Sequence, residues 1–240
     1  TNKIISNETK GIIFAPIESI KSPSIIQVSN PRLAFAKALA FIFKNIGLKQ
    51  IYSGSIPKDL YIGTNVKIGH GVVIGNNVRI GNNVVINEFV KIGDRCSIKS
   101  GAVIGEDGFG FERDDDGTPV RFPHIGNVLI ENDVEIGSMS TVNRGTLGST
   151  VIKESAKIDD HVHIAHNVFV DESALICAGS IIGGSSYIGK RCWLGINSTI
   201  HQKIKIEDDA IVGMGANVFK SIKCGLTVAG FPSKNVPKIN

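Results

Sequence analysis

The chain has 240 residues, of which 42% are hydrophobic and only 6% aromatic, and its formal net charge is +4 at pH 7. The basic residues are scattered rather than clustered, which argues against nucleic-acid binding. The sequence contains no run of eighteen apolar residues and no visible signal peptide, so we expect no membrane insertion. The four cysteines form no Cys-x-x-Cys pair, which disfavours a structural zinc site and suits a reducing, cytoplasmic location.

Residues 1–52 predict a small α/β fragment. Two short apolar runs, at 12–15 and 25–28, read as buried strands. Asn30 is placed to cap a helix that has Pro31 in its first turn. Apolar residues at helical spacing then extend this helix over about 31–44, where Asn45 and Gly47 end it.

The middle of the chain, over about 53–222, repeats an apolar, mostly β-branched residue at every sixth position. Neither a helix, with its period of 3.6, nor an alternating strand, with its period of two, produces this spacing. A parallel β-helix of hexapeptide repeats does, and at three hexads per coil it predicts about eight coils. The repeated positions run in three unbroken series, Ile56 to Ile104, Ile130 to Val142, and Ile152 to Val218.

The two breaks in this count, after Ile104 and after Val142, bear on function. A passive spacer or an ice-binding prism would keep the count unbroken. Insertions in a solenoid form loops on one face, which is often the binding face. The breaks therefore favour an enzyme over a structural solenoid.

The first break holds a loop over 105–123. An acidic tip, at 114–116, is expected to be a solvated turn. Phe109 and Phe111 either pack on the prism or are held out to cover an apolar ligand or a neighbouring subunit. Both interpretations remain open from the sequence.

The histidines offer a general base. His161, His163 and His166 fall in one coil, and Asp159 is near enough in sequence to orient an imidazole. A metal site is disfavoured, because no cysteine or further histidine has matching spacing. A base of this kind suits acyl transfer to an amine, in which a backbone N–H must also hold the oxyanion.

Two further positions complete this candidate site. Gly184 lies eighteen residues after His166, one coil further on, and offers an unobstructed N–H. Arg144, at the second break, is placed to contact a phosphate or a neighbouring subunit. No serine or cysteine elbow is visible, so a covalent acyl-enzyme is not favoured.

Several of these stretches resemble the UDP-3-O-acylglucosamine N-acyltransferase family of lipid A synthesis, over about residues 10–230. The Asp-Gly-Phe-Gly-Phe loop and the Ile-Ala-His-Asn segment are specific together, whereas hexads alone indicate only the wider hexapeptide acyltransferase superfamily. The matching stretches are 29–36, 105–111, 123–126, 141–147 and 164–167.

The resemblance implies a left-handed coil, His166 as general base and Gly184 as oxyanion donor. It also implies a homotrimer with active sites between subunits, an acyl carrier protein as donor, a nucleotide-linked amino sugar as acceptor, and no bound cofactor. Residues 1–52 then correspond to part of a nucleotide-binding domain. The remaining candidate substrate-binding residues are Asn167, Asp159, His163, Phe109, Phe111, Arg144, His124, Lys203 and His201.

Some positions depart from the family pattern. A second family histidine aligns with Lys203, while His201 is two residues away, and the family's Asp-Arg-Gly reads Asn143-Arg144-Gly145. The nucleotide-stacking aromatics and the carrier-binding C-terminal helices of the family have no counterpart in the sequence. The tail, at 223–240, instead contains an Ala-Gly-Phe-Pro-Ser-Lys segment that resembles the ending of coenzyme A-dependent sugar acetyltransferases.

Three functions therefore remain in competition. The first is N-acyl transfer from a 3-hydroxyacyl carrier protein to a nucleotide-linked amino sugar. The second keeps the fold and the base but uses a short acyl-coenzyme A on a sugar of surface polysaccharide. The third is a non-catalytic trimeric scaffold.

Overall fold

The computed structural model describes residues 12–17, 25–45, 54–57, 60–230 and 234–235. It divides the chain into two compact units, one formed by 1–50 with 110–123 and the other by 51–109 with 124–240. Gly47 and eight residues of the predicted acetyltransferase-like tail, 231–233 and 236–240, lie outside the described residues.

The smaller unit contains the predicted helix and two predicted strands, which pair in parallel. The prediction that both strands are buried is wrong, because Ile26 is 45% exposed. The strands Ile13–Ala15 and Ile25–Gln27 pair in register, and the helix spans Pro31–Asn45. The Oδ1 of Asn30 accepts a hydrogen bond from the backbone N–H of Leu33 at 3.0 Å, so Asn30 is the N-cap.

The same unit includes an antiparallel hairpin, Phe111–Arg113 with Pro119–Arg121. Lys37 Nζ lies 2.6 Å from Asp114 Oδ2, and this pairing lowers the pKa of Asp114. Asp115 and Asp116 are exposed in the turn and Asp114 forms its ion pair at the surface, which agrees with the predicted solvated turn.

The larger unit is a parallel β-solenoid of short strands in three sheets. Sheet 1 contains Lys67–Ile68, Val85–Ile86, Val103–Glu106, Thr141–Asn143, His163–Ile164, Ile181–Ile182, Thr199–Ile200 and Asn217–Val218. Sheet 2 contains Val73–Ile74, Lys91–Ile92, Asn127–Ile130, Ser149–Ile152, Phe169–Val170, Tyr187–Ile188 and Lys205–Ile206. Sheet 3 contains Tyr61–Ile62, Arg79–Ile80, Ser97–Ile98, Glu135–Ile136, Lys157–Ile158, Leu175–Ile176, Trp193–Leu194, Ile211–Val212, Thr227–Ala229 and, antiparallel, Lys234–Asn235.

The repeated apolar residues form the core. From Ile74 to Val218 they are buried, while the preceding residue of each strand faces outward. Many corners contain a residue with positive φ, such as Asn167 at 59°, in the left-handed conformation that Asn and Gly adopt most readily.

The pairing register shows what each break in the count does. Regular coils pair residues eighteen apart, as in Ile164 with Ile182. Across the first break Ile104 pairs with Val142, and across the second Val142 pairs with Ile164. The breaks therefore insert loops into otherwise continuous coils.

The solenoid has about nine turns rather than the eight that the hexad count gives. The additional pairing comes after Val218, where Ile222 bridges to Ile206 and Thr227–Ala229 pairs with Ile211–Val212. The residues in these pairs are sixteen positions apart instead of eighteen. The last coil is therefore two residues shorter than the others, and counting apolar residues in steps of six does not detect it.

In the described part of the chain, no helix is long and apolar enough to cross a membrane. Cys96 and Cys192 are buried in the solenoid, and burial raises the pKa of each thiol to about 11. Both thiols are therefore protonated near neutral pH and serve as small core residues.

Candidate functional site

His166 lies at a corner of the solenoid, between the sheet 1 strand His163–Ile164 and the sheet 2 strand Phe169–Val170. The coil above it has Gly184 at the same corner, and the N–H of Ser185 donates to the carbonyl of His166 at 2.9 Å. The half-buried His166 ring is thus placed beside Gly184, as the eighteen-residue spacing predicts.

Two glycines allow the protein to close around this ring. A Cβ on Gly184 would lie 2.8 Å from both Cε1 and Nε2 of His166. A Cβ on Gly108 would lie 2.9 Å from His166 Cδ2 and 2.9 Å from Nε2 of His124. Any other residue at either position would have to displace an imidazole.

Asn167 fixes the tautomer of His166. Asn167 Oδ1 accepts hydrogen bonds from the backbone N–H of Thr146 at 3.0 Å and from its hydroxyl at 2.8 Å. The same oxygen lies 3.1 Å from Nδ1 of His166. Because a backbone N–H can only donate, its partner on Asn167 is the oxygen, and Nδ1 must carry the proton. In the neutral imidazole, Nε2, the atom beside Gly184, then has the lone pair that can accept a proton.

His163 is held in the neighbouring strand of the same coil. Its Nδ1 lies 2.7 Å from the Thr141 hydroxyl, and burial lowers the pKa of the imidazole. The ring is therefore neutral at pH 7. His161 lies at a preceding corner with a φ of 57° and is exposed, so three histidines in one coil do not form one cluster.

Asp159 follows a strand of sheet 3, at a different corner from His166. Its carboxylate accepts hydrogen bonds from the backbone N–H of Asp160 at 2.8 Å and of Ala178 at 3.1 Å. These contacts give Asp159 a role in shaping its own corner. The sequence predicted that Asp159 could orient the imidazole. In the structure, the oxygen that contacts Nδ1 of His166 belongs to Asn167.

Arg144 anchors the start of the first loop. Its Nε donates to the carbonyl of Gly105 at 2.7 Å and lies 3.7 Å from Asp107 Oδ1. Its terminal nitrogen lies 3.3 Å from Glu88 Oε2. The phosphate or subunit contact predicted for Arg144 would add to these bonds within the subunit.

The two loop aromatics differ in exposure. Phe109 is 87% exposed, whereas Phe111 belongs to the hairpin and packs under the guanidinium of Arg121, 5.3 Å from the ring centroid. Phe109 therefore matches the alternative in which an aromatic ring is held out toward a ligand or a neighbouring molecule.

Lys203 and His201 lie one coil beyond Gly184, and both are exposed. The backbone N–H of Lys203 donates to the carbonyl of Gly184 at 2.9 Å. His201 Nδ1 lies 3.0 Å from the Gln202 carbonyl. Both side chains are available to a substrate that reaches past Gly184.

Sequence reasoning missed two residues of this site, Thr146 and Gly108. Thr146 is twenty-one residues before Asn167, a separation that the eighteen-residue repeat does not produce. Gly108 belongs to the Asp-Gly-Phe-Gly-Phe loop, in which the sequence predicted no single catalytic residue. Its closeness to two imidazoles depends on how that loop folds.

The described residues contain no group of three or more His, Cys, Asp or Glu side chains placed to hold a metal ion. The arrangement around His166 places Nε2 of an imidazole beside the backbone of Gly184. Such a pair can deprotonate a nucleophile and stabilise an oxyanion.

Comparison with known proteins identifies the fold and the family. The model "Bacterial transferase hexapeptide (six repeats)" matches residues 55–88 and 71–106, and "Hexapeptide repeat of succinyl-transferase" matches 187–220. UDP-N-acetylglucosamine O-acyltransferase of Moraxella catarrhalis has a similar structure, with a TM-score of 0.70 and 26% identity over 77% of this chain and 70% of that chain. LpxA of Acinetobacter baumannii, at 24% identity and a TM-score of 0.64, shares the fold over 77% of this chain and 69% of its own. The predicted fold class, a left-handed parallel β-helix, is confirmed.

Curated relatives give the family. UDP-3-O-acylglucosamine N-acyltransferases of Caulobacter sp. and Methylococcus capsulatus are 41% and 37% identical over 58% of this chain. The chain spans only 41% and 39% of their lengths. The enzyme of that name from Campylobacter lari is 37% identical over 97% of this chain and 79% of its own length. The chain therefore belongs to the UDP-3-O-acylglucosamine N-acyltransferase family.

Proposed function

We propose that this protein is an N-acyltransferase that acts on a nucleotide-linked amino sugar resembling UDP-3-O-acylglucosamine. The observation that carries the proposal is the placement of His166, whose Nδ1 contacts Asn167 Oδ1 and whose Nε2 lies beside Gly184. Membership of the family supports the choice of an amino group as acceptor.

The reaction uses one base and one backbone amide. The lone pair of the neutral sugar amine attacks the thioester carbonyl carbon, and Nε2 of His166 takes the proton that the nitrogen loses. The carbonyl oxygen becomes an oxyanion. When the tetrahedral intermediate collapses, the carbon–sulfur bond breaks and the imidazolium returns the proton to the thiolate.

We assign the oxyanion to the N–H of Gly184. On either side of it, the N–H of Gly183 donates to the Ile200 carbonyl and that of Ser185 to the His166 carbonyl. The amide between them lies beside the base, at a position without a side chain. A donor placed in this way contributes about 3–4 kcal/mol to transition-state stabilisation in known enzymes.

The proposed donor is a 3-hydroxyacyl carrier protein, with the exposed Phe109 as an apolar contact for the acyl chain. The alternative is a short acyl-coenzyme A, favoured by Lys203 in place of the second family histidine. The proposed location is the cytoplasm, where free thiols such as Cys177 and Cys224 persist. We interpret residues 1–52 as a nucleotide-binding-like domain fragment.

A homotrimer is part of the proposal, because an exposed prism does not enclose a ligand alone. Sheet 3 carries an apolar column in its last coils, Leu175, Trp193 and Ile211, which pair in register. Trp193 is 51% exposed in the single chain. Exposed apolar patches of this kind mark association surfaces.

The assay that tests this function offers one acceptor, a UDP-linked 3-O-acyl amino sugar, and two donors in separate reactions. A product heavier by one 3-hydroxyacyl group, formed from the carrier protein, is the expected result. If acetyl-coenzyme A is the only donor that reacts, the alternative function, acetyl transfer to a sugar of surface polysaccharide, would replace the proposed one. No product with either donor would contradict both and favour the scaffold.

A further inference from the structure

His124 lies in direct contact with the proposed base. Its ring centroid is 5.3 Å from that of His166, and the planes meet at 73°, an edge-to-face arrangement. Aromatic rings favour this geometry. His124 follows the hairpin in the sequence, and its ring contacts the corner that contains His166.

The burial of His124 gives it a different role from substrate binding. The residue is only 3% exposed, so the substrate contact that the sequence predicted would require it to be uncovered. Its Nε2 and the Cδ2 of His166 are both 2.9 Å from the point where a Cβ would lie on Gly108. The first glycine of the Asp-Gly-Phe-Gly-Phe loop therefore lets both rings approach one segment of backbone.

The hydrogen bond from His166 Nδ1 to Asn167 fixes which nitrogen is protonated, but it allows the ring to tilt. Nδ1 also lies 3.4 Å from the Thr146 hydroxyl. Contacts at this one nitrogen still leave the direction of Nε2 loosely set, because the χ2 torsion of histidine has broad minima. Gly184 bounds the ring near Nε2 and Cε1, and His124 with Gly108 bounds it near Cδ2.

We infer that His124 is a positioning residue, whose ring packs against His166 and keeps Nε2 directed toward Gly184. This inference rests on the proposed function, because it takes His166 as the base.

The test compares His124→Ala, which opens a space beside His166, with His124→Gln, which retains most of the volume and a planar group. His124→Ala is expected to lower kcat by about tenfold or more, since misplaced catalytic groups are costly, with KM changed less than about twofold. His124→Gln should recover most of the loss. His70→Ala removes another edge-to-face ring pair, with Phe89 at 6.0 Å, and should leave kcat unchanged.

A second readout needs no substrate. The nuclear Overhauser effect between the His166 ring and Gly184 reports the direction of the ring. The cross-peak from His166 Hε1 to the Gly184 Hα protons should be strong in the wild-type protein, where Cε1 lies 2.8 Å from the point where a Gly184 Cβ would be, and weaker in His124→Ala. The His166 signals are assigned from their absence in His166→Gln. If His124→Ala folds poorly, the same cross-peak is measured in His124→Gln, where a partial weakening is expected.

An unchanged cross-peak in the folded variant, or a loss expressed in KM rather than kcat, would overturn the inference. If wild-type protein transfers no acyl group, the cross-peak comparison still decides whether His124 orients His166. Failure of the proposed function and failure of this inference are therefore distinguishable.

Discussion

At the scale of single residues, the catalytic proposal depends on how closely Gly184 approaches His166. The ring cannot simply move away, because Asn167 holds Nδ1 and His124 packs against its other side. A methyl group at position 184 must therefore displace the base or the corner that supplies the oxyanion donor.

We expect Gly184→Ala to lower kcat by about 10²-fold, since the added Cβ would lie 2.8 Å from Nε2. Gly148→Ala is the matched control. A Cβ there meets only Asn167 Nδ2, at 4.0 Å, which is an ordinary contact. Steady-state kinetics of both variants provides the check, and equal rates for the two would refute the steric argument.

Part of the site could be predicted from sequence, because residues eighteen positions apart lie next to each other in adjacent coils. His166 and Gly184 are one coil apart, so counting eighteen residues brings them together. Thr146 could not be found in this way. It lies within the second break, where four additional residues shift the register, and its contacts with Asn167 depend on the folded path of that insertion.

At the scale of strands and coils, stability should follow the inward position of each hexad. Ile80 is fully buried between coils, whereas its neighbour Arg79 points outward and lies over the Tyr61 ring at 5.0 Å. Each strand therefore has one residue that supports the core and one that faces solvent.

Ile80→Ala should lower the free energy of unfolding by about 2–5 kcal/mol, from lost burial and the cavity that remains. Arg79→Ala, in the same strand, should cost less than about 1 kcal/mol. Urea denaturation followed by circular dichroism measures both. Similar losses for the two variants would show that the inward and outward assignment does not govern stability.

The hexad count predicted these coils well because each repeat is a local rule. It was less accurate at the C-terminal end, where Ile222 and Thr227 pair sixteen residues from their partners. The hexad count also could not predict the antiparallel hairpin, which lies outside the repeats. Its attachment depends on the Arg32–Glu112 and Lys37–Asp114 ion pairs, between residues 80 and 77 positions apart, within the smaller unit.

At the scale of the whole molecule, the apolar column of sheet 3 is the surface that the proposed trimer would bury. We expect Trp193→Glu to convert the proposed trimer to monomer, because a charge at the centre of an apolar interface would be buried without a partner. Lys91→Glu, on sheet 2, is the control and should remain trimeric. Light scattering at micromolar concentration distinguishes the two, and a wild-type protein that is already monomeric would contradict the trimer.

The proposed reaction depends most directly on His166 acting as the general base. The decisive measurement is the acyl-transfer rate of His166→Gln relative to wild type, with the product followed by mass and the fold checked by circular dichroism. A general base contributes about 10²–10⁴-fold, so we predict a loss of at least about 10²-fold. A folded His166→Gln variant that transfers acyl groups at the wild-type rate would contradict the mechanism.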